Sequence, residues 1–126
     1  MIHLEERIAL PSERASIPRA RHFARNVLAG GVDDDSLDVL ELLTSELVTN
    51  AVLHSGTACE LRVICLDEDT VRVEVADGSR RRPVLRRSWD PLALNGRGLQ
   101  FIDQLATRWG VVDDAAGKTV WFELAD

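Results

Sequence analysis

Residues 36–54 read SLDVLELLTSELVTNAVLH, and their spacing sets a carboxylate and an amide one helical turn apart on a face that is otherwise apolar. At about 100° per residue, Val39, Leu40, Leu43, Leu47 and Ala51 form one broad apolar arc, with Glu46, Asn50 and His54 within or beside it. Asp38, Glu41, Ser45 and Thr49 fall on the opposite, solvent side. A buried Glu or Asn without partners costs on the order of a few kcal/mol. The helix is therefore expected to face something polar that the chain does not supply, and a ligand is the natural candidate.

The flanks suit a helix that is entered and left cleanly. Asp33, Asp34, Asp35 and Ser36 offer capping oxygens and negative charge at its N-terminus, and Ser55 and Gly56 mark its end. Upstream, residues 2–10 carry Ile2, Leu4, Ile8 and Leu10 before Pro11 and predict a strand. Ser16 is placed to cap another helix, with Pro18 in its first turn, that runs through Phe23, Val27 and Leu28 to Gly30 and Gly31.

Downstream, residues 59–66 and 70–76 predict a hairpin joined by Asp67, Glu68 and Asp69. In its second strand Val71, Val73 and Val75 share one face while Arg72 and Glu74 share the other, and continued alternation turns Asp77 inward. Periodicity then stops. Residues 78–95 hold two prolines and five arginines and read as a long loop, of the kind that serves as a lid or binding segment. Gly96, Arg97 and Gly98 open a helix over residues 99–106 with Leu99, Ile102 and Leu105 inward, and Ala106 beside them. Strands over 109–113 and 118–124 pair across 114–117, with Val120, Phe122 and Leu124 buried. The order β α α β β, loop, α β β predicts an α+β fold, a two-layer sandwich with helices on one face of a mostly antiparallel sheet.

At 126 residues the chain is expected to be a single domain, residues 1–126. Hydrophobic residues make up 45% and charged residues 29%, without a long apolar run, which argues against both a membrane span and wholesale disorder. The start MIHLEERIAL lacks the pattern of a signal peptide, so a cytoplasmic location is expected. Cys59 and Cys65 sit six residues apart in one strand, roughly 20 Å, too far for a mutual disulfide, and read as core thiols. The net charge of −6 excludes nonspecific nucleic-acid binding by the whole surface. Lys118 is the only lysine; the other basic residues are arginines, five of them in the loop. His3, His22 and His54 show no metal-ligand spacing.

Two short matches mislead. Gly96-Arg97-Gly98 imitates a dinucleotide fingerprint, but Phe101 stands where the third glycine belongs. Gly117-Lys118-Thr119 imitates the end of a P-loop, but Val112 replaces the earlier glycine and a strand follows.

Taken in order, ELVTNAVLH, VADGS, GRGLQFIDQLATRWG and GKTVWFEL closely resemble the ATP-binding domain shared by gyrase, heat-shock chaperones, histidine kinases and MutL. The chain is more similar still to the small stand-alone regulators of that superfamily, the anti-sigma-factor serine/threonine kinases. The resemblance covers nearly the whole chain and implies a Bergerat-type fold. It also implies roles at matching positions. Asn50 would hold Mg²⁺ between the phosphates of ATP, and Glu46 would act as general base toward the attacking hydroxyl. Asp77 would receive the adenine amino group, Gly78 would let the base come close, and Thr119 would help seat it. Gly96, Arg97 and Gly98 would meet the phosphates at a helix N-terminus, under a lid formed by the arginine-rich loop.

The function so implied is an ATP- and Mg²⁺-binding anti-sigma factor that phosphorylates a serine or threonine of an antagonist and switches partners. Its partners would be a sigma factor, an antagonist protein or both, without direct nucleic-acid or membrane contact; related regulators commonly form homodimers. The chain departs from the family at the Asp-x-Gly-x-Gly box, which here reads Asp77-Gly78-Ser79-Arg80-Arg81, and Asn95 replaces a glycine that often precedes Gly-x-Gly. These departures favour the alternative, a noncatalytic module that sequesters its partner with weak or no use of ATP.

Overall fold

The computed structural model describes residues 4–67, 69–79 and 98–125, with residues 98–101 described by their backbone alone. Strands β1 (Leu4–Leu10), β2 (Cys59–Cys65), β3 (Thr70–Asp77), β4 (Arg108–Asp114) and β5 (Gly117–Ala125) form one open sheet in the order β1-β2-β3-β5-β4. Every neighbouring pair is antiparallel. Helices α1 (Ser16–Leu28), α2 (Asp34–Thr49) and α3 (Gly98–Leu105) make the second layer. This is the two-layer α+β architecture that the element order predicts.

Strand alternation builds the core. Val63 pairs with Val73, Val73 with Phe122 and Val75 with Val120. These residues are buried against Leu40, Leu43, Leu47 and Val48 of α2, Ala20 and Ala24 of α1, and Ile102 of α3. Asp33 caps α2 by accepting the Ser36 N–H at 2.8 Å, as its position suggests. Gly30 and Gly56 take left-handed φ values of 83° and 66°, which lets the chain turn away from the helices before them. Among the described residues no helix is long and apolar enough to cross a membrane.

Three details differ from expectation. Ser16 does not cap α1, which begins after Ala15; its hydroxyl is buried and donates to the Pro11 carbonyl at 2.7 Å, tying the end of β1 to the helix. Ser45 lies in the interior, not in solvent, because its hydroxyl is satisfied within α2 by the Glu41 carbonyl at 2.8 Å. Leu105 is 43% exposed, since α3 ends there and Ala106 packs on the core in its place. The expected first strand is present over Leu4–Leu10, and residues 2 and 3 lie outside the described residues.

The other face of the sheet has no described helix over it and carries an ordered row of charges. Glu5 pairs with Arg62, Arg62 with Glu74 at 2.8 Å, Glu74 with Arg72 at 2.6 Å, and Arg72 with Glu123 at 2.8 Å. Arg108 closes the row on Glu123 at 2.9 Å. The Arg72 guanidinium also stacks 4.0 Å from the ring centre of Trp121.

Candidate functional site

The helix that opened the sequence reading changes its winding where the chemistry is expected. α2 stops at Thr49, and residues Asn50–Ser55 continue as a π-helical segment. Such i→i+5 turns are rare and concentrate at functional sites. The Asn50 backbone N–H still donates to the carbonyls of Glu46 and Leu47, so Glu46 and Asn50 remain one turn apart, both half-buried. Because a π turn advances less per residue than an α turn, positions beyond Asn50 drift off the α-helical arc. His54, at the edge of that arc, is exposed.

Burial raises the Glu46 carboxyl above the usual carboxylate range, which makes it a stronger proton acceptor when ionised. Asn50 presents a different signature. Its Nδ2 is buried and has no hydrogen-bond partner among the described residues. A buried amide left open costs free energy and is satisfied by a ligand acceptor such as a phosphate oxygen. With the nitrogen so used, the amide oxygen would be the atom to face a cation. Among the described residues no cluster of three or more His, Cys, Asp or Glu could hold a metal ion. Mg²⁺ fits that donor set, because it is commonly bound by one or two protein oxygens with phosphates and water completing its shell.

The second part of the site lies at the end of β3. Asp77 is inward as its parity predicts, 9% exposed, and its Oδ1 accepts the Ser79 N–H at 2.8 Å. Gly78 donates its N–H to Thr57 Oγ1 at 3.3 Å, and a methyl group in place of its hydrogen would reach the Ala116 carbonyl and the Thr57 methyl at 3.9 Å. Across the sheet from Asp77, Cys59 is buried, and burial together with the Asp77 charge pushes its thiol up to about 11, so it stays protonated and inert.

Thr119 does not join this group. Strand alternation turns it to the open face with Trp121 and Glu123, opposite Ala76 in register. Lys118 faces Asp77 instead, with its Nζ 3.0 Å from Oδ2 and 3.1 Å from Oδ1, and it also donates to Ser55 Oγ at 2.9 Å. The signal for Lys118 was present in the sequence, since it shares the parity of Val120 and Phe122. Gly98 opens α3, while Gly96, Arg97 and the arginine-rich stretch lie outside the described residues.

The π-helical segment joins the two parts. Asn50 begins it, Ser55 ends it, and Lys118 bridges Ser55 to Asp77. A raised carboxyl, a buried amide nitrogen and an inward carboxylate beside a glycine are thus linked through one short segment.

Comparison with known proteins agrees with the fold. Residues 10–124 match the histidine kinase-like ATPase domain. Among solved structures, the RsbU and RsbW domains of Rv1364c from Mycobacterium tuberculosis superpose with a TM-score of 0.75 at 20% sequence identity. The match covers 97% of this chain and 32% of that one, so the chain spans about a third of the larger protein. A comparison with curated proteins finds no match.

Proposed function

The chain belongs to the histidine kinase-like ATPase family, and on that premise we propose that it is an ATP- and Mg²⁺-binding anti-sigma factor that phosphorylates a serine or threonine of an antagonist protein. The observation that carries this reading is Glu46 and Asn50, one turn apart and half-buried, the first with a raised carboxyl and the second with an unpartnered amide. Asn50 binds and orients the triphosphate together with its cation. The Mg²⁺ ion, when bound, neutralises charge on the phosphates. Glu46 accepts the proton of the incoming hydroxyl, and Asp77 with Gly78 holds the base. Phosphoryl transfer asks a protein chiefly for positioning and charge stabilisation, which these residues supply. Phosphorylation of the antagonist then releases it and frees this chain for its sigma factor.

The test is transfer of label from γ-labelled ATP to the antagonist recovered by pull-down. Labelled serine or threonine is expected with the native chain and none with Glu46→Ala. Tight ATP binding without transfer would refute the kinase assignment. A second reading, a noncatalytic module that sequesters its partner, is favoured by one observation: the carboxylate assigned to the base is already paired with Lys118. Calorimetric titration separates the two, since a module with no use for ATP shows no heat of binding at millimolar nucleotide.

A further inference from the structure

At the end of the fold away from Glu46 and Asn50, the sheet outruns the helices. One row of its inward face crosses four strands in register, Leu4 opposite Cys65, Cys65 opposite Val71 and Val71 opposite Leu124. The neighbouring row of Val63, Val73 and Phe122 is fully buried, whereas none of these four residues is. α1 ends at Leu28 and α2 begins at Asp34, and the loop between them borders the row without filling the space. A cavity of about 220 Å³ remains, walled on the helix side by Leu28 and Leu40 and open to the surface. Ser36, which also lines it, lies roughly 20 Å along the helix from Asn50.

An apolar cavity of about 150 Å³ admits a benzene ring, so this one has room for an aromatic or large aliphatic side chain. Its opening is acidic. Asp33 lines it from the start of α2, while Asp67 and Asp69 line it from the turn between β2 and β3, all three exposed. Local hydrogen bonds hold two of these carboxylates in place: Asp33 accepts the Ser36 N–H at 2.8 Å, and Asp67 Oδ1 accepts the Asp69 N–H at 2.8 Å. Asp34 and Asp35 extend the negative charge on the helix side. Arg25, in the last turn of α1, is engaged elsewhere, by Glu41 at 3.0 Å and Asp38 at 3.8 Å. A small amine answers only one side of such an opening. Acids presented by two different elements around an apolar hole match a chain with positive charge on both sides of an apolar residue.

We propose that this cavity docks a protein partner by one large apolar side chain, with lysine or arginine on either side of it meeting Asp33, Asp67 and Asp69. The docked partner meets α2 at its start, away from Glu46, so this role stands apart from the nucleotide chemistry and does not rest on it.

Fluorescence anisotropy on the native chain tests this with three labelled pentapeptides: tryptophan between two pairs of arginines, alanine between the same arginines, and tryptophan between two pairs of glutamates. Cys65, half-buried in the cavity wall, reports the place of binding through its rate of alkylation by iodoacetamide, mapped by mass spectrometry. The arginine-flanked tryptophan peptide is expected to bind at least about tenfold more tightly than either control, to slow alkylation of Cys65 at saturation, and to weaken as salt rises. Asp69→Asn is expected to weaken it by about threefold, the measure of one exposed ion pair. Equal binding of the alanine peptide would reduce the acids to unspecific charge attraction, and equal binding of the glutamate peptide would leave them without a role; either refutes the docking mode. It is refuted as well if phenethylammonium protects Cys65 and the peptides do not, which would assign the cavity to a small amine, or if none of the three peptides binds. ATP binding at the other end of α2 stands or falls separately from each of these outcomes.

Discussion

A side-chain carbon on Gly117 would lie 2.0 Å from the Asp77 carbonyl oxygen and 2.8 Å from the Gly78 backbone. Those are main-chain atoms and cannot rotate away. Gly117→Ala is therefore expected to force β5 off the end of β3 and to cost at least about 2 kcal/mol. Urea unfolding followed by circular dichroism checks this; a midpoint equal to the native one would show that the two strands are less tightly joined there.

Glu46 should weaken the fold while it serves the chemistry. Burial makes the ionised carboxylate costlier in the folded chain than in the unfolded one. That penalty is absent below the unfolded pKa, about 4.3, and is fully felt above the raised folded value. Glu46→Gln is accordingly expected to melt higher than the native chain at pH 7, with the gap closing as the pH falls toward 4. The same variant should lose phosphoryl transfer, a combination that calorimetry and the labelling assay read separately.

Glu123 should behave in the opposite way. Burial opposes its ionisation, but hydrogen bonds from Arg72 and Arg108 outweigh that and hold its carboxyl below the usual range. A depressed folded pKa adds stability that is present above the unfolded pKa and is lost as pH falls through the folded one. Glu123→Gln should thus lower the urea midpoint at neutral pH and match the native chain in strong acid. Equal deficits at both pH values would mean that lost packing, not charge, is responsible.

Asn50→Ala tests the metal end of the site. The native chain is expected to melt higher with ATP and Mg²⁺ than with ATP and a chelator, as any ligand that binds only the folded state requires. In Asn50→Ala the Mg²⁺-dependent part of that shift should vanish. A shift that survives the substitution would move the cation to another ligand.

Much of the fold was readable from the order of residues because one side of nearly every element is buried. The alternation of Val71, Val73 and Val75 predicted the parity of Asp77, and the same rule applied to Val120 and Phe122 would have selected Lys118 over Thr119. Ser45 escaped because a hydroxyl satisfied by its own helix carries no burial penalty, which side-chain polarity alone does not reveal. The π-helical turn at Asn50 left no mark in the sequence. Nothing in the local propensities of these residues separates a π turn from an α turn.

Among the described residues the open sheet also leaves two strands with an unpaired side. In the order β1-β2-β3-β5-β4 those are β1 and β4, and both are poor templates for a stray strand. Three consecutive charges, Glu5, Glu6 and Arg7, run along β1, while β4 starts at Arg108 and ends at Asp113 and Asp114. Charged rims of this kind discourage edge-to-edge pairing of the sheet with a second copy.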